Sequence, residues 1–221
     1  MASVSTAKRK TPVARIKRTR SRGLSALHQE QIEDSRKRIL TAAKDTFTAH
    51  SYVGTTVDMI ITGAGVGRST FYKHFVSKFD VAKGILNSYV PRLHAVFEQL
   101  PDQPDAAAAL TWLRALMQLY RDNRDYMVLF YAVSGAEPEF FPEMMAIHDN
   151  LLRTLGARIP AFAKAASGLP EHARLHVLAH MHIMHAFSFC STVVSDGWVV
   201  DVEAGLAYLA EELARFIAAN R

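Results

Sequence analysis

Between residues 35 and 47 the apolar positions recur at helical spacing: Ile39, Leu40, Ala43 and Phe47 share one face, while Arg36, Lys37, Arg38 and Lys44 fall elsewhere. The pattern predicts a helix capped by Ser35. After the break Ser51-Tyr52-Val53-Gly54, the pair Thr55-Thr56 offers an N-cap oxygen, and Asp58, three residues after Thr55, completes a capping box with Asp in place of the usual Glu. A short helix over 57–64 follows. Gly65 supplies the positive φ of a tight helix-to-helix turn and Val66 an apolar plug; a third helix over 68–75 turns Phe71 and Phe75 to the core. Two short helices joined by a glycine turn behind a longer support make a helix-turn-helix layout.

Beyond Ser77 the chain reads as helix with punctuation. Segments are predicted at 78–99, 105–121, 125–134, 138–156, 159–166, 170–195 and 201–219, with stops near Pro101, Gly135 and Asp196-Gly197 and a kink or split at Pro91. No strand pattern and no internal repeat emerges, so the fold class is all-α, a three-helix head followed by a helical bundle. Residues 1–34, rich in Ser, Thr, Lys and Arg without apolar periodicity, read as a flexible arm. The expected domains are therefore the arm 1–34, the head 35–82 and the body 83–221.

Composition narrows the classes. Of 221 residues, 49% are hydrophobic and 21% charged, which excludes a wholly disordered chain. One cysteine, Cys190, excludes an internal disulfide framework and a multi-thiolate zinc site, and reads as a space-filling core residue. The greasiest stretch, 175–194, carries four histidines, so a soluble, cytoplasmic protein without a membrane partner is expected. The arm shares its Arg- and Ser-rich character with organellar transit peptides, but it lacks a clear amphipathic stripe, and no apolar signal region follows it. The net charge of +5 is unevenly placed: residues 1–22 hold eight basic side chains and no acid, 35–80 hold seven against three, and 81–221 hold eleven against fifteen. A polyanion should meet the first third of the chain and be repelled by the rest.

The run Thr55-Thr56-Val57, Ile60, then Ala64-Gly65-Val66-Gly67-Arg68-Ser69-Thr70-Phe71-Tyr72-Lys73-His74-Phe75-Val76-Ser77-Lys78 resembles the DNA-binding domain of the tetracycline-repressor (TetR-type) family of bacterial regulators. The resemblance covers about residues 35–82. Gly67 stands where that family commonly has a capping Ser, Ile61 replaces a small residue, and Gly63 sits inside the second helix. From helical geometry, Arg68, Ser69, Tyr72 and Lys73 lie opposite the two core phenylalanines and can enter a major groove, with Arg68 the best candidate for a base edge. By resemblance, Thr70, Tyr72, His74 and Lys78 would fix phosphates, and the amides of Thr55 and Thr56 would hold another. The arm would add phosphate or minor-groove contacts.

The resemblance further implies a body that binds an effector and dimerises. In the last helix Val202, Leu206, Leu209, Ala210, Leu213, Phe216 and Ile217 form an apolar arc; paired with a second copy, Leu206, Leu209, Leu213, Phe216 and Ile217 would be the dimer seam. Met and aromatic residues gather between Trp112 and Phe189, and no Lys occurs between Lys83 and Lys164, which favours a small hydrophobic or aromatic effector. Its expected contacts are Trp112, Phe130, Tyr131, Phe141, Met145, Met181 and His185. His172, His176 and His180 share an arc that could hold a metal ion, yet no Cys or carboxylate stands in the same helical repeat, so no metal and no cofactor is expected. The resulting expectation is a ligand-responsive repressor binding a palindromic operator in double-stranded DNA as a homodimer. Two rivals are a small helical enzyme built on the histidines of 172–185 with Asp149 or Glu143, and a non-specific basic DNA-binding protein. No catalytic motif is present: there is no Gly-x-Ser-x-Gly and no phosphate loop.

Overall fold

The computed structural model of the chain describes residues 14–195 and 201–221. Among the described residues eleven α-helices follow one another: α1 (Ala14–Gly54), α2 (Val57–Ala64), α3 (Arg68–His74), α4 (Lys78–Asn87), α5 (Val90–Phe97), α6 (Ala106–Asp122), α7 (Arg124–Ala136), α8 (Phe140–Gly156), α9 (Pro160–Ala165), α10 (Ala173–Ser195) and α11 (Val202–Ala219). No strand occurs among them.

Most boundaries follow local chemistry. Asp105 caps α6 by accepting from the Ala108 amide at 2.7 Å, and Asp201 caps α11 through the Ala204 amide at 3.0 Å. Pro91 splits the predicted 78–99 segment, sitting in the first turn of α5 where its missing N–H costs nothing. Two expectations at the N-terminal end are corrected. α1 begins at Ala14, so helix rather than irregular chain occupies 14–34; this stretch is made largely of Ala, Arg, Leu, Gln and Glu, all good helix formers. Ser35 consequently lies inside a helix and caps nothing: its Oγ donates to the Ile32 carbonyl at 2.9 Å. Residues 1–13, the first part of the expected arm, lie outside the described residues.

The head is built on one apolar cluster. Ile39, Ala43, Phe47 and Tyr52 of α1 bury against Ile60 and Ala64 of α2, Phe71 of α3 and Phe75 beyond it, with each large side chain contributing about 1.5–3 kcal/mol. That cluster continues through Val81 and Ile85 of α4 into Leu129, Val133 and Phe140, so head and body share a core. A second cluster fills the body with Phe97, Leu113, Leu116, Leu152, Phe162 and their neighbours.

The stripe on α11 points into this second cluster. Leu206, Leu213, Phe216 and Ile217 are buried and Leu209 is partly buried within the chain, chiefly against α6, with Phe216 on Phe162 at 5.6 Å. The seam assigned to a second copy is thus spent inside the subunit: periodicity tells that a helix has a core face, not whose core it meets. What stays open includes Tyr208 of α11 and Val177 and Met181 of α10, all exposed. The segment Pro170–Ser195 is also long and apolar enough to cross a membrane by length and composition, with a mean hydropathy of 1.4, although its inner face (Ala179, Ile183, Ala186, Cys190) packs into the body core.

Candidate nucleic-acid interface and body cavity

α3 is held by its own buried edge. Phe71 is fully buried, Phe75 nearly so, and their rings lie 6.1 Å apart. This anchoring leaves Arg68, Ser69, Tyr72 and Lys73 exposed and Thr70 half-buried. The turn before α3 has the predicted form. Gly65 adopts φ 59°, ψ 40°, and an added Cβ would lie 3.1 Å from the Arg38 guanidinium, which donates to the Ala64 and Gly65 carbonyls at 2.6 and 2.8 Å. Arg38, unassigned from the sequence, is therefore the C-terminal clamp of α2, where a cation meets the negative end of the helix.

The expected DNA-facing residues divide into two sets. Arg68 stands free apart from an ion pair with Asp58 at 3.4 Å, both side chains about two-thirds exposed. Asp58 is thus not the partner of a capping box with Thr55; Thr56 caps α2 by accepting from the Met59 amide at 3.3 Å. Thr55 is buried and its hydroxyl donates to the Ser51 carbonyl at 2.7 Å, so only its neighbour Thr56 is presented. Lys78 turns back: its Nζ donates to the carbonyls of Tyr52, Val53 and Thr55 at 2.9, 3.3 and 3.0 Å. His74 shares a 2.8 Å hydrogen bond with Ser35 Oγ, and burial, then the charges of Arg36 and Lys73, push its pKa below the ordinary value.

The body holds a cavity of about 210 Å³ among α4, α5, α6, α7, α8 and α10. Of the residues expected to contact an effector, Phe130 and Tyr131 are in its lining, and Tyr131 Oη is hydrogen-bonded to Ser191 Oγ. The other expected contacts lie elsewhere. Phe141, Met181 and His185 are exposed, Met145 is outside the lining, and Trp112 donates its Nε1–H to the Val96 carbonyl at 2.9 Å beside a separate narrow gap. The error is one of helical phase: on α8 the inward positions are Phe140, Met144 and His148, one residue earlier than Phe141 and Met145. The spacing of four between those three was the signal available.

Two polar groups at the cavity carry no hydrogen bond, the Tyr89 hydroxyl and His148 Nδ1, both buried. Burial, then the charge of His180, holds the His148 imidazole down at about 4, so it is neutral at physiological pH. Burial likewise pushes the Tyr89 phenol above its ordinary value and the Cys190 thiol up to about 12. The remaining histidines of α10 are distributed: His182 packs on Phe216 at 4.7 Å, and His176 and His180 turn toward α8 and α9.

Residues 39–85 match the family model for bacterial regulatory proteins of the tetR family. Over 82 residues the chain is 34% identical to the HTH-type transcriptional regulator SrpR of Pseudomonas putida and 33% identical to the HTH-type transcriptional regulator TtgW of the same species. The matched stretch is 37% of this chain in both cases, and it spans 36% and 58% of those relatives. A solved tetR-family transcriptional regulator from Streptomyces coelicolor shares the fold with a TM-score of 0.60 at 21% identity, covering 85% of this chain and 82% of that one. The head, residues 39–85, is thus similar to the DNA-binding part of bacterial regulatory proteins of the tetR family, the chain spans about a third to a little over half the length of the curated relatives it matches, and its helical frame is shared with the solved structure.

Proposed function

We propose that the chain is a ligand-responsive transcriptional repressor, binding a palindromic operator through α3 as a homodimer and released by a small, mainly hydrophobic effector held in the body cavity. The observation that carries the reading is one unbroken aromatic path. Phe130 and Phe140 of the cavity wall meet at 5.6 Å, and Phe140 meets Phe79 of α4 edge-on at 6.2 Å, one residue after Lys78 braces the head. Lys83 of α4 adds a 2.9 Å ion pair to Glu143 of α8. An effector that displaces Phe140 must move α4, and α4 carries the head through the shared core. A coupling of only ~1–3 kcal/mol changes operator occupancy five- to a hundredfold, and DNA weakens the effector by the same factor.

The cavity constrains the effector. Its wall is apolar and aromatic, so most of the ligand is hydrocarbon or ring; the unpartnered Tyr89 hydroxyl and His148 Nδ1 ask for one polar group able to bond them. Pairing of two copies is assigned to the outer faces of α10 and α11, where Val177, Met181 and Tyr208 are exposed.

The test is a gel-shift titration of the full chain on DNA from upstream of its own gene and its neighbours, with random duplex as competitor. A regulator prefers one fragment by at least about a thousandfold, and hydrophobic compounds that raise the melting temperature release that fragment. Equal affinity for every duplex would overturn the reading in favour of a non-specific DNA-binding protein.

A further inference from the structure

We propose that Asp149, His176 and His180 form a binding site for one divalent ion of the zinc, cobalt or nickel type, clamping α8 to α10. Asp149 comes from α8, while His176 and His180 stand one turn apart on α10 with ring centroids 4.5 Å apart. One ligand atom from each residue lies within 4.8 Å of the other two, and His180 Nε2 is already 3.0 Å from Asp149 Oδ1. A tetrahedral ion at ~2.1 Å holds its donors ~3.4 Å apart, a contraction that side-chain rotation supplies.

The surroundings favour an ion over a chance meeting of polar groups. The Ala165 carbonyl has no proton to give, so the 3.0 Å contact from His176 Nδ1 places the hydrogen on that nitrogen. In the neutral ring, His176 Nε2 then keeps its lone pair for an ion. A backbone acceptor behind the non-ligating nitrogen is the usual way a protein fixes a metal-binding imidazole. His180 donates its Nε2–H to the carboxylate; an ion takes that place on Nε2, the neutral ring then carrying its hydrogen on Nδ1, so the ring loses no net proton. Two imidazoles and one carboxylate suit borderline ions and are a poor set for magnesium or calcium, which prefer all-oxygen shells. Three protein ligands leave one position for water, and the Asp149 side chain, 43% exposed, keeps an entry path.

The consequence reaches the cavity. His148, adjacent to Asp149, and Met184, Phe187 and Ser188, beyond His180 on α10, all line it. An ion joining the two helices fixes two walls of that space at once.

The experiment is a titration of the full, untagged chain with Co²⁺, read by its visible absorption, followed by displacement with Zn²⁺. The expected result is one equivalent per chain with the intense bands of a four-coordinate site, removed by Zn²⁺. Asp149→Asn and His176→Gln should each weaken binding at least about tenfold, whereas His185→Gln and His172→Gln leave it unchanged; metal-free melting curves identify any variant that fails to fold. Weak, water-like Co²⁺ absorption in the parent protein overturns the site without reference to any variant. Undiminished binding by folded Asp149→Asn and His176→Gln overturns it equally. Neither outcome bears on operator binding, which is read separately.

Discussion

Lys78 seats its ammonium 4.7 Å from the centre of the Tyr52 ring while donating to the Tyr52 carbonyl at 2.9 Å. The pair ties the first turn of α4 to the end of α1, where Ser51 leaves helical geometry at φ 60° and α1 bends. A cation at the carbonyl end of a helix is favourable, and hydrogen bonds to a charged group contribute about 1.5–3 kcal/mol. Lys78→Met should therefore lower the melting temperature by about 3–8 °C and leave the salt dependence of DNA binding unchanged. A salt slope reduced by ~1 at constant melting temperature would assign Lys78 to phosphate contact instead.

Arg68 has the opposite prognosis. Its side chain is two-thirds exposed and its ion pair with Asp58 is worth at most ~1 kcal/mol, so Arg68→Ala should leave stability unchanged within error. Its effect falls on discrimination, at about 1–3 kcal/mol of operator preference with non-specific affinity only slightly reduced. Competition gel shifts with single-base operator variants measure it, and equal losses on all sequences would count against a base contact.

The recognition helix starts without a side-chain cap. Gly67 holds φ −75° and ψ 153°, which any residue adopts, and an added Cβ meets nothing closer than Thr70 Oγ1 at 4.0 Å. Gly67→Ser should stabilise the chain by about 0.3–1 kcal/mol through a cap and a less flexible unfolded chain. Urea denaturation reads the gain, and a loss of stability would show that the turn needs glycine for another reason.

His148 predicts the acid response. With its native value at about 4 against an ordinary 6.5, the unfolded chain takes up the proton first. Stability from this group is complete above about pH 6.5 and is lost as pH falls toward 4, by up to about 3 kcal/mol, with the charges of His180 and Asp149 facing the same ring. His148→Gln should flatten that part of the stability profile. An unchanged profile would place the sensitivity elsewhere.

Met181 is 45% exposed on α10. If the outer faces of α10 and α11 pair two copies, Met181→Glu should shift sedimentation from dimer to monomer at micromolar concentration while the fold survives, because the site is solvated within one chain. Leu213→Glu, by contrast, should unfold the body, since Leu213 is buried in its own subunit.

Helix boundaries were legible because Asp105, Pro91, Gly65 and Asp201 act on their immediate neighbours, and neighbours are what a sequence displays. The exposure of Arg68, Ser69, Tyr72 and Lys73 was legible for the same reason, since Phe71 and Phe75 fix the phase of a seven-residue helix. Apart from the early start of α1, a matter of local propensity, most failures are tertiary. Lys78 and Thr55 are claimed by carbonyls across a chain bend, Leu206 and Phe216 by helices far away in sequence, and Asp149 meets His176 and His180 only after α8 folds across α10. One wrong step of phase on α8 was enough to replace Phe140 and Met144 by their outward neighbours.

Cys190 is the chain's one thiol, and it lies on the inner face of α10 with no surface exposed. A soluble thiol reagent can reach it only when the body opens, and a single reactive atom yields a single exponential. The labelling rate is thus a clock for breathing of the body: a ligand that fills the cavity slows it, one that pries α10 away quickens it, and the two need no other label to be told apart.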